Sequence, residues 1–401
     1  MIVKDEAMQP INFLAEARSI SNEIINLRRQ IHQWPELGKQ EFRTSQLVVQ
    51  YLNNLGISTT NLCGTGVVGV LEGEHPGAVV ALRADMDALP IEEKNDVPYR
   101  SQREGIMHAC GHDCHTAALL GSAKLLATHR KELPGTVKFI FQPDEEGDGG
   151  AAPMIEAGAL ENPKVTAIFG AHVSSLYPAG HVGTIVGKFC AASNPFKITV
   201  LGRNAHGARP HQGVDAIMIT AQILTALQCY ISREVDPLDS ALISVGTIRG
   251  GTRSNVVAEE VTLSGIIRTL DADLRKKTTN AVQRIACGVA DIFGGQAIVK
   301  IEESFAAGFN DARMTKLVDR SICKLFGEDK HISIERPSMG TEDMGAFLAA
   351  VPGCFYKMGV RDDSAGFVAP AHSDRFMVQE SALPDLSALH AQVVFDYLSS
   401  C

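Results

Sequence analysis

The chain has 401 residues, of which 45% are hydrophobic and 21% charged, and carries a formal net charge of −9. That length exceeds what one core usually fills, so two domains are expected, and the composition is that of an ordinary globular protein. The negative balance argues against nucleic acid or an anionic membrane as a partner, and no apolar run approaches the roughly 20 residues that span a bilayer.

The start, Met1-Ile2-Val3-Lys4-Asp5-Glu6, lacks the basic and apolar regions of a secretion signal. Nine cysteines are scattered without a compact disulfide framework, which fits a reducing cytoplasm. Residues 11–55 read as helices broken by polar turns. A nearly continuous apolar run over 77–83 suits a buried parallel strand and leads into Asp85-Met86-Asp87. The stretch His108-Ala109-Cys110-Gly111-His112-Asp113-Cys114-His115 then packs three imidazoles, two thiols and a carboxylate into one short segment. It feeds a helix over 116–129 in which Ala117, Leu120, Ala123 and Ala127 recur at helical spacing.

A second strand over 135–142 ends in Pro143-Asp144-Glu145-Glu146-Gly147, and a third over 165–171 ends at His172. Three strands thus carry Asp, Glu and His to their carboxyl ends, the edge where open α/β sheets place ligands. Between 194 and 304 the rhythm changes. Strand 196–202, helix 214–233, strands 241–249 and 261–270, helix 274–293 and strand 296–302 follow the βαββαβ order of a ferredoxin-like α+β domain. The expected architecture is an α/β catalytic domain, residues 1–193 and 305–401, with a mixed, mostly parallel sheet. A satellite or lid domain, residues 194–304, is inserted into it.

Any one of these cysteines or histidines reads as an ordinary buried side chain. Gathered together, each would need its own buried polar partner, which favours a shared ligand. Cys110, His112, Glu146, His172 and His372 offer one thiolate, three imidazoles and one carboxylate, a mixture suited to Zn²⁺, or to Mn²⁺ or Co²⁺, rather than to Ca²⁺ or Mg²⁺. Five candidates exceed the needs of one tetrahedral ion, so two divalent ions bridged by a shared ligand are expected, with Cys110 the candidate bridge. Glu145 can serve as the base that takes a proton from activated water. Asp87 reads equally as the carboxylate that orients a ligand histidine and as a turn or helix-capping residue. His108 and His115 read as supporting residues. His206, in the loop Asn204-Ala205-His206-Gly207-Ala208-Arg209, reads either as a surface histidine or as an oxyanion donor. Asn255 and Arg268 can clamp a carboxylate. A covalent nucleophile at Cys110 is disfavoured, because no Cys-His-Asn arrangement stands apart from the metal set.

These residues resemble the M20 family of metallopeptidases and amidohydrolases, most closely its aminoacylase and hippurate hydrolase branch, which includes the plant auxin-conjugate hydrolases. The resemblance runs through His32-Gln33-Trp34-Pro35-Glu36, Asp85-Met86-Asp87-Ala88-Leu89-Pro90, His108-Ala109-Cys110-Gly111-His112-Asp113 and Gln142-Pro143-Asp144-Glu145-Glu146-Gly147. It continues through Gly170-Ala171-His172, Ala205-His206-Gly207, Met339-Gly340-Thr341-Glu342-Asp343 and Ala371-His372-Ser373. It implies a two-metal amidase that removes an acyl group from the nitrogen of an amino acid. Cys110, His112, Glu146, His172 and His372 would be the ligands and Glu145 the general base. His206 would hold the oxyanion from its own chain or a partner, and Asn255 and Arg268 would meet the substrate carboxylate. Asn194, where the branch often has Asp, and Asn204, where a small residue is usual, depart from the pattern and bear on substrate preference. The alternatives are a metallo-carboxypeptidase or dipeptidase and a non-catalytic metal-binding homologue. The implied partners are a small N-acyl amino acid substrate and a second copy of the chain, joined as a homodimer or higher homo-oligomer through the satellite domain.

Overall fold

The computed structural model describes residues 11–401, so the reading of Met1 to Glu6 as lacking a secretion signal lies outside the described residues. The chain forms two compact units. The first takes in the chain up to Gly187 with Asn310–Glu335 and Phe347–Cys401, and the second comprises Lys188–Phe309 and Arg336–Ala346. The second unit is therefore larger than residues 194–304 and claims the Met339-Gly340-Thr341-Glu342-Asp343 segment, which the sequence placed in the catalytic domain. Ser338 N–H donates to the Phe189 carbonyl and Ala191 N–H to the Gly340 carbonyl, each at 2.9 Å. Such pairing between distant segments leaves no local pattern to read.

The first unit is built on an eight-stranded mixed sheet, in the order Ser58–Leu62, Gly66–Glu72, Pro134–Gln142, His75–Asp85, Ala167–Pro178, Gly353–Arg361, Val182–Thr184 and His331–Ser333. Its middle is parallel: His75–Asp85 pairs in parallel with Pro134–Gln142 and Ala167–Pro178, and the latter pairs in parallel with Gly353–Arg361. The Ala167–Pro178 strand is longer than the sequence suggested. His172 lies within it, not at its end, but the register Arg83↔Gly170 brings His172 level with Asp85, the last residue of the neighbouring strand.

The helix His112–Thr128 also begins earlier than expected, so His112, Asp113 and His115 occupy its first turn. Periodic Ala and Leu suggested one apolar face, yet the helix is buried on all sides from His112 to Leu126, apart from Lys124. It packs so closely on Ala382–Leu398 that Ser387 Oγ donates to the Ala118 carbonyl at 2.9 Å, and a Cβ at Gly121 would lie 2.5 Å from that hydroxyl. Among the described residues, no helix is long and apolar enough to cross a membrane.

The second unit carries a four-stranded antiparallel sheet in the order Ala241–Gly250, Glu260–Thr269, Ala192–Leu201 and Gln296–Ile301. The helices Ala216–Arg233 and Ala272–Ile292 pack on it through Ile198, Val200, Ile223, Leu263 and Val282. Asp215 and Asp271 cap these helices by accepting main-chain N–H bonds. Strand order and connectivity are ferredoxin-like. Asn194 is buried here: its Oδ1 accepts from Arg275 Nε at 2.6 Å, and its Nδ2 donates to the Glu302 carbonyl at 2.8 Å.

A buried ion network anchors the first turn of His112–Thr128. Arg28 Nε donates to Asp113 Oδ2 at 2.6 Å, and His32 Nδ1 lies 2.7 Å from the same oxygen. Arg28 Nη1 also reaches Glu380 Oε1 at 3.2 Å, and His32 Nε2 lies 3.2 Å from Glu93 Oε1. Burial works to raise the Asp113 carboxyl, but Arg28 and His32 outweigh it and hold it well below the usual carboxylate range. A carboxyl depressed in this way stabilises the fold fully above its unfolded pKa near 3.9, and the contribution fades as pH falls towards its folded value. Asp113→Asn, which strands a buried guanidinium, should cost about 3–5 kcal/mol at neutral pH. The gap from the natural chain, read by denaturant unfolding with the single Trp34 as reporter, should hold down to about pH 4 and narrow below it. A gap unchanged at about pH 3 would contradict this account.

Candidate metal centre

Cys110, His112, Glu145, Glu146, His172, His372 and Asp87 all belong to the first unit. The strand His75–Asp85 ends just before Asp87, whose Oδ1 lies 3.1 Å from His112 Nδ1 while Oδ2 accepts the Glu146 N–H at 2.8 Å. One carboxylate thus fixes both an imidazole and the peptide of a candidate ligand. With Nδ1 facing that carboxylate, Nε2 stands on the opposite side of the ring. That atom is buried, with no hydrogen-bond partner among the described residues.

Glu146 follows the strand Pro134–Gln142 through a turn in which Asp144 takes the left-handed conformation, φ 57°. Asp144 N–H donates to Glu41 Oε1 at 2.9 Å, and Glu41 Oε2 accepts from Thr65 Oγ1 at 2.6 Å. The Asp144 carboxylate fills the space that a side chain at Gly38 or Gly147 would need, since a Cβ there would lie 2.0 or 2.2 Å from Oδ1. Glu146 Oε1 is buried and receives no hydrogen bond of good geometry among the described residues, although His372 Nε2 is 3.1 Å away. His372 is exposed and itself left-handed, φ 67°, with its N–H held by the Ala109 carbonyl at 2.8 Å. His172 turns Nδ1 to the Val173 carbonyl at 2.6 Å and Nε2 towards Cys110 Sγ at 3.4 Å.

The donor atoms of Cys110, His112 and His172 lie within 4.8 Å of one another, and so do those of Cys110, Glu146 and His372. The two trios share the thiol. The 3.4 Å between Cys110 Sγ and His172 Nε2 is what two ligands each about 2.0–2.3 Å from one ion require. Soft sulfur, imidazole and carboxylate donors, with Nε2 of His112 and Oε1 of Glu146 buried and without hydrogen bonds, fit divalent transition ions at both trios. Glu145 Oε2 lies beside them, 3.9 Å from His112 Nε2.

The electrostatics differ from one imidazole to the next: burial opposes the charged form of His112, but Asp85, Cys110 and Asp87 raise it well above its ordinary value, and Glu146 raises His372. Burial, with Lys357 adding to it, holds the His172 imidazole well below its ordinary value, in the neutral form that ligates. Burial pushes the Cys110 thiol up, with Glu146 and Glu145 adding to the effect and His112 opposing it. A thiolate there requires a neighbouring cation, which disfavours a free nucleophilic cysteine. Burial opposes ionisation of Glu146 too, but His372 and His112 prevail and lower its carboxyl.

Asp85 and His115 were not assigned roles from sequence beyond a strand end and a supporting histidine. Burial favours a neutral Asp85, but His112, His115 and Arg83 hold its carboxyl well below the usual range. The spacing of Asp85 and Asp87, two residues apart at a strand end, was the available signal, because such residues share a side of the chain. His108 is fully enclosed, and burial pushes its imidazole down to about 4.

The remaining predicted residues lie in the second unit. His206 is exposed on a two-residue strand paired with Val256–Val257, and its Nδ1 accepts the Ala208 N–H at 3.0 Å. Asn255 adjoins it through Gly207 N–H to the Asn255 carbonyl, 2.7 Å. Asn204 Nδ2 donates to Glu259 Oε2 at 3.0 Å in the same region. Arg268 is elsewhere. The register pairs Glu260 with Leu201 but Arg268 with Ser193, so Arg268 stands at the opposite end of its strand, about 26 Å from the end that leads to Asn255. The clamp read from sequence as Asn255 with Arg268 does not form within one unit. Arg268 Nη1 is buried with no hydrogen-bond partner among the described residues.

The chain matches the model of Peptidase family M20/M25/M40 over residues 81–396. It is 39% identical to thermostable carboxypeptidase 1 of Saccharolobus solfataricus, across 94% of this chain and 95% of that protein. It is 37% identical to the N-acetyl-L-cysteine deacetylase of Bacillus subtilis, across 96% of this chain and 89% of that protein. The crystal structure of the Bacillus subtilis YXEP protein, described as a dinuclear metal binding peptidase from the M20 family, matches with a TM-score of 0.83 at 32% identity, covering 96% of this chain and 100% of that one. With the donor trios in place and the family pattern spanning most of its length, the chain belongs to peptidase family M20/M25/M40, metal-dependent hydrolases that act on amide bonds.

Proposed function

We propose that the protein hydrolyses the amide bond of N-acyl amino acids, with Cys110, His112, Glu146, His172 and His372 holding two divalent ions and Glu145 acting as general base. The observation that carries the reading is the pair of donor trios sharing Cys110, with Glu145 Oε2 only 3.9 Å from His112 Nε2. Zn²⁺ suits the donor mixture best, with Mn²⁺ or Co²⁺ as substitutes. Ions bound there would polarise the scissile carbonyl and make a water molecule acidic enough to give up a proton near neutral pH. Glu145 takes the proton at Oε2 and returns it to the departing nitrogen. Asp87 keeps His112 in the tautomer that leaves Nε2 bare. The unpaired guanidinium nitrogen of Arg268 supports recognition of a free carboxylate, which every N-acyl amino acid carries.

A carboxypeptidase or dipeptidase reading shares that carboxylate and is favoured by the carboxypeptidase relative; the deacetylase relative favours the acyl amino acid. The intact donor set with Glu145 beside it speaks against a non-catalytic homologue. Because Arg268 stands about 26 Å along its strand from the end that leads to Asn255 and the neighbouring His206, the two groups are too far apart in one chain to meet one small substrate, and a second copy would supply one of them. That supports a homodimer formed through the second unit, with His206 acting on the partner's substrate.

Exhaustive chelation should abolish hydrolysis of N-acetyl and N-benzoyl amino acids, and Zn²⁺, Mn²⁺ or Co²⁺ should restore it. Glu145→Gln should lower kcat about 10²–10⁴-fold while bound metal, measured by elemental analysis, stays at two ions per chain. Activity that survives metal removal sinks the mechanism, and faster turnover of dipeptides than of acyl amino acids across a matched panel would select the peptidase alternative. Mixing inactive Glu145→Gln and His206→Ala chains should recover activity through mixed dimers. No recovery, with exchange of subunits demonstrated, would place His206 in its own chain's reaction or outside the reaction.

A further inference from the structure

We infer that His115 is the positioning residue for the ligand His172 and that it acts through the main chain of Val173. The inference rests on the metal reading proposed above. The strand Ala167–Pro178 pairs with His75–Asp85 only as far as Arg83↔Gly170, and that neighbour ends at Asp85, level with His172 and one residue short of Val173. Beyond this point the longer strand has lost its ladder on that side, and a buried N–H without a partner is costly. Val173 N–H donates instead to His115 Nε2 at 2.9 Å. The imidazole stands in for the missing strand.

An imidazole nitrogen that accepts a hydrogen bond carries no proton, so the proton of neutral His115 sits on Nδ1. That nitrogen faces Asp85 Oδ1 at 2.5 Å, and Arg83 Nη1 holds the other carboxylate oxygen at 2.7 Å. Thr116 Oγ1 donates to the Asp85 carbonyl at 2.8 Å, so the anion is fixed in place. On the far side of the same residue, the Val173 carbonyl accepts from His172 Nδ1 at 2.6 Å. His172 is thereby set with its Nε2 lone pair towards Cys110 Sγ. One residue's N–H and C=O link the two imidazoles, whose ring centres are 4.6 Å apart at 65°. Gly111 closes the arrangement from the ligand loop: at φ 90°, a Cβ there would lie 2.4 Å from Val173 Cγ2.

Asp85, His112 and His115 also bring donor atoms within 4.8 Å of one another. Both nitrogens of His115 are nevertheless engaged, one by Asp85 and one by a peptide N–H, so this trio supports the ligands and is not a third ion site.

Two substitutions separate the halves of the relay. His115→Gln puts an amide oxygen near the Nε2 position and keeps an acceptor for Val173 N–H, whereas His115→Asn reaches only the Nδ1 position beside Asp85. The metal-free full chain is titrated with Co²⁺. The natural chain and His115→Gln should bind two ions alike, and His115→Asn should bind one of them about 10–100-fold more weakly. His115→Asn binding both ions like the natural chain overturns the inference, as does equal weakening of both ions in both variants, which marks a loss of packing alone. A natural chain that takes up no Co²⁺ overturns the metal reading and this inference with it, which distinguishes the two failures. A second measurement needs no variant: imidazole nitrogen resonances of the metal-free natural chain should show both His115 and His172 protonated at Nδ1. A neutral His172 carrying its proton on Nε2 overturns the inference.

Discussion

The Asp87 carboxylate is the constraint on which the rest of the centre depends. It lies 3.1 Å from His112 Nδ1 and accepts the Glu146 N–H at 2.8 Å, so a single anion fixes groups that come from a helix start and from a strand end. Donors that must stay bare for an ion have no hydrogen bonds of their own to hold them, and their orientation has to come from the opposite side of each ring or peptide. Asp87 does this for His112, the Val173 carbonyl does it for His172, and the left-handed turn at Asp144 does it for the Glu145-Glu146 pair. Behind them, Arg28 with Asp113 and Arg83 with Asp85 place buried cations against buried anions. Such pairs stabilise little in sum but strongly resist the loss of either partner.

Much of this could be read from the chain. The apolar runs before Asp85 and before Asp144 identified buried parallel strands because both faces of such strands are covered and alternation disappears. The change of rhythm after residue 194 revealed the ferredoxin-like unit, since its helices keep a 3.6-residue period and its strands alternate. The gathering of Cys110, His112, Glu146, His172 and His372 was legible because cysteine, histidine and glutamate at strand ends have few other reasons to collect.

What escaped was set by contacts between distant segments. The helix His112–Thr128 looked one-sided because alanine and leucine recur in it, yet polar residues in it are buried as well: His112, Asp113, His115 and Thr116 bond within the site or its supports, and Ser122 bonds to the Ala118 and Ser387 carbonyls. His172 looked like a strand terminus because the apolar run stops there, while the backbone continues against Gly353–Arg361, far along the chain. Residues 336–346 looked like part of the catalytic domain because nothing local reveals the main-chain bonds to Phe189 and Ala191. Asn255 and Arg268 looked like partners on chemistry alone, and only the strand register separates them.

The discontinuity of the first unit has a consequence for biosynthesis. Its strand Gly353–Arg361 lies between Ala167–Pro178 and Val182–Thr184, so the sheet cannot be completed until almost the whole chain has left the ribosome. The inserted sheet and its two helices, by contrast, arise from one continuous run between Ala192 and Ile301 and can be assembled while translation continues. During that interval the strand bearing His172 waits with an open edge, and the candidate donors acquire their common geometry only after Gly353–Arg361 has joined the sheet.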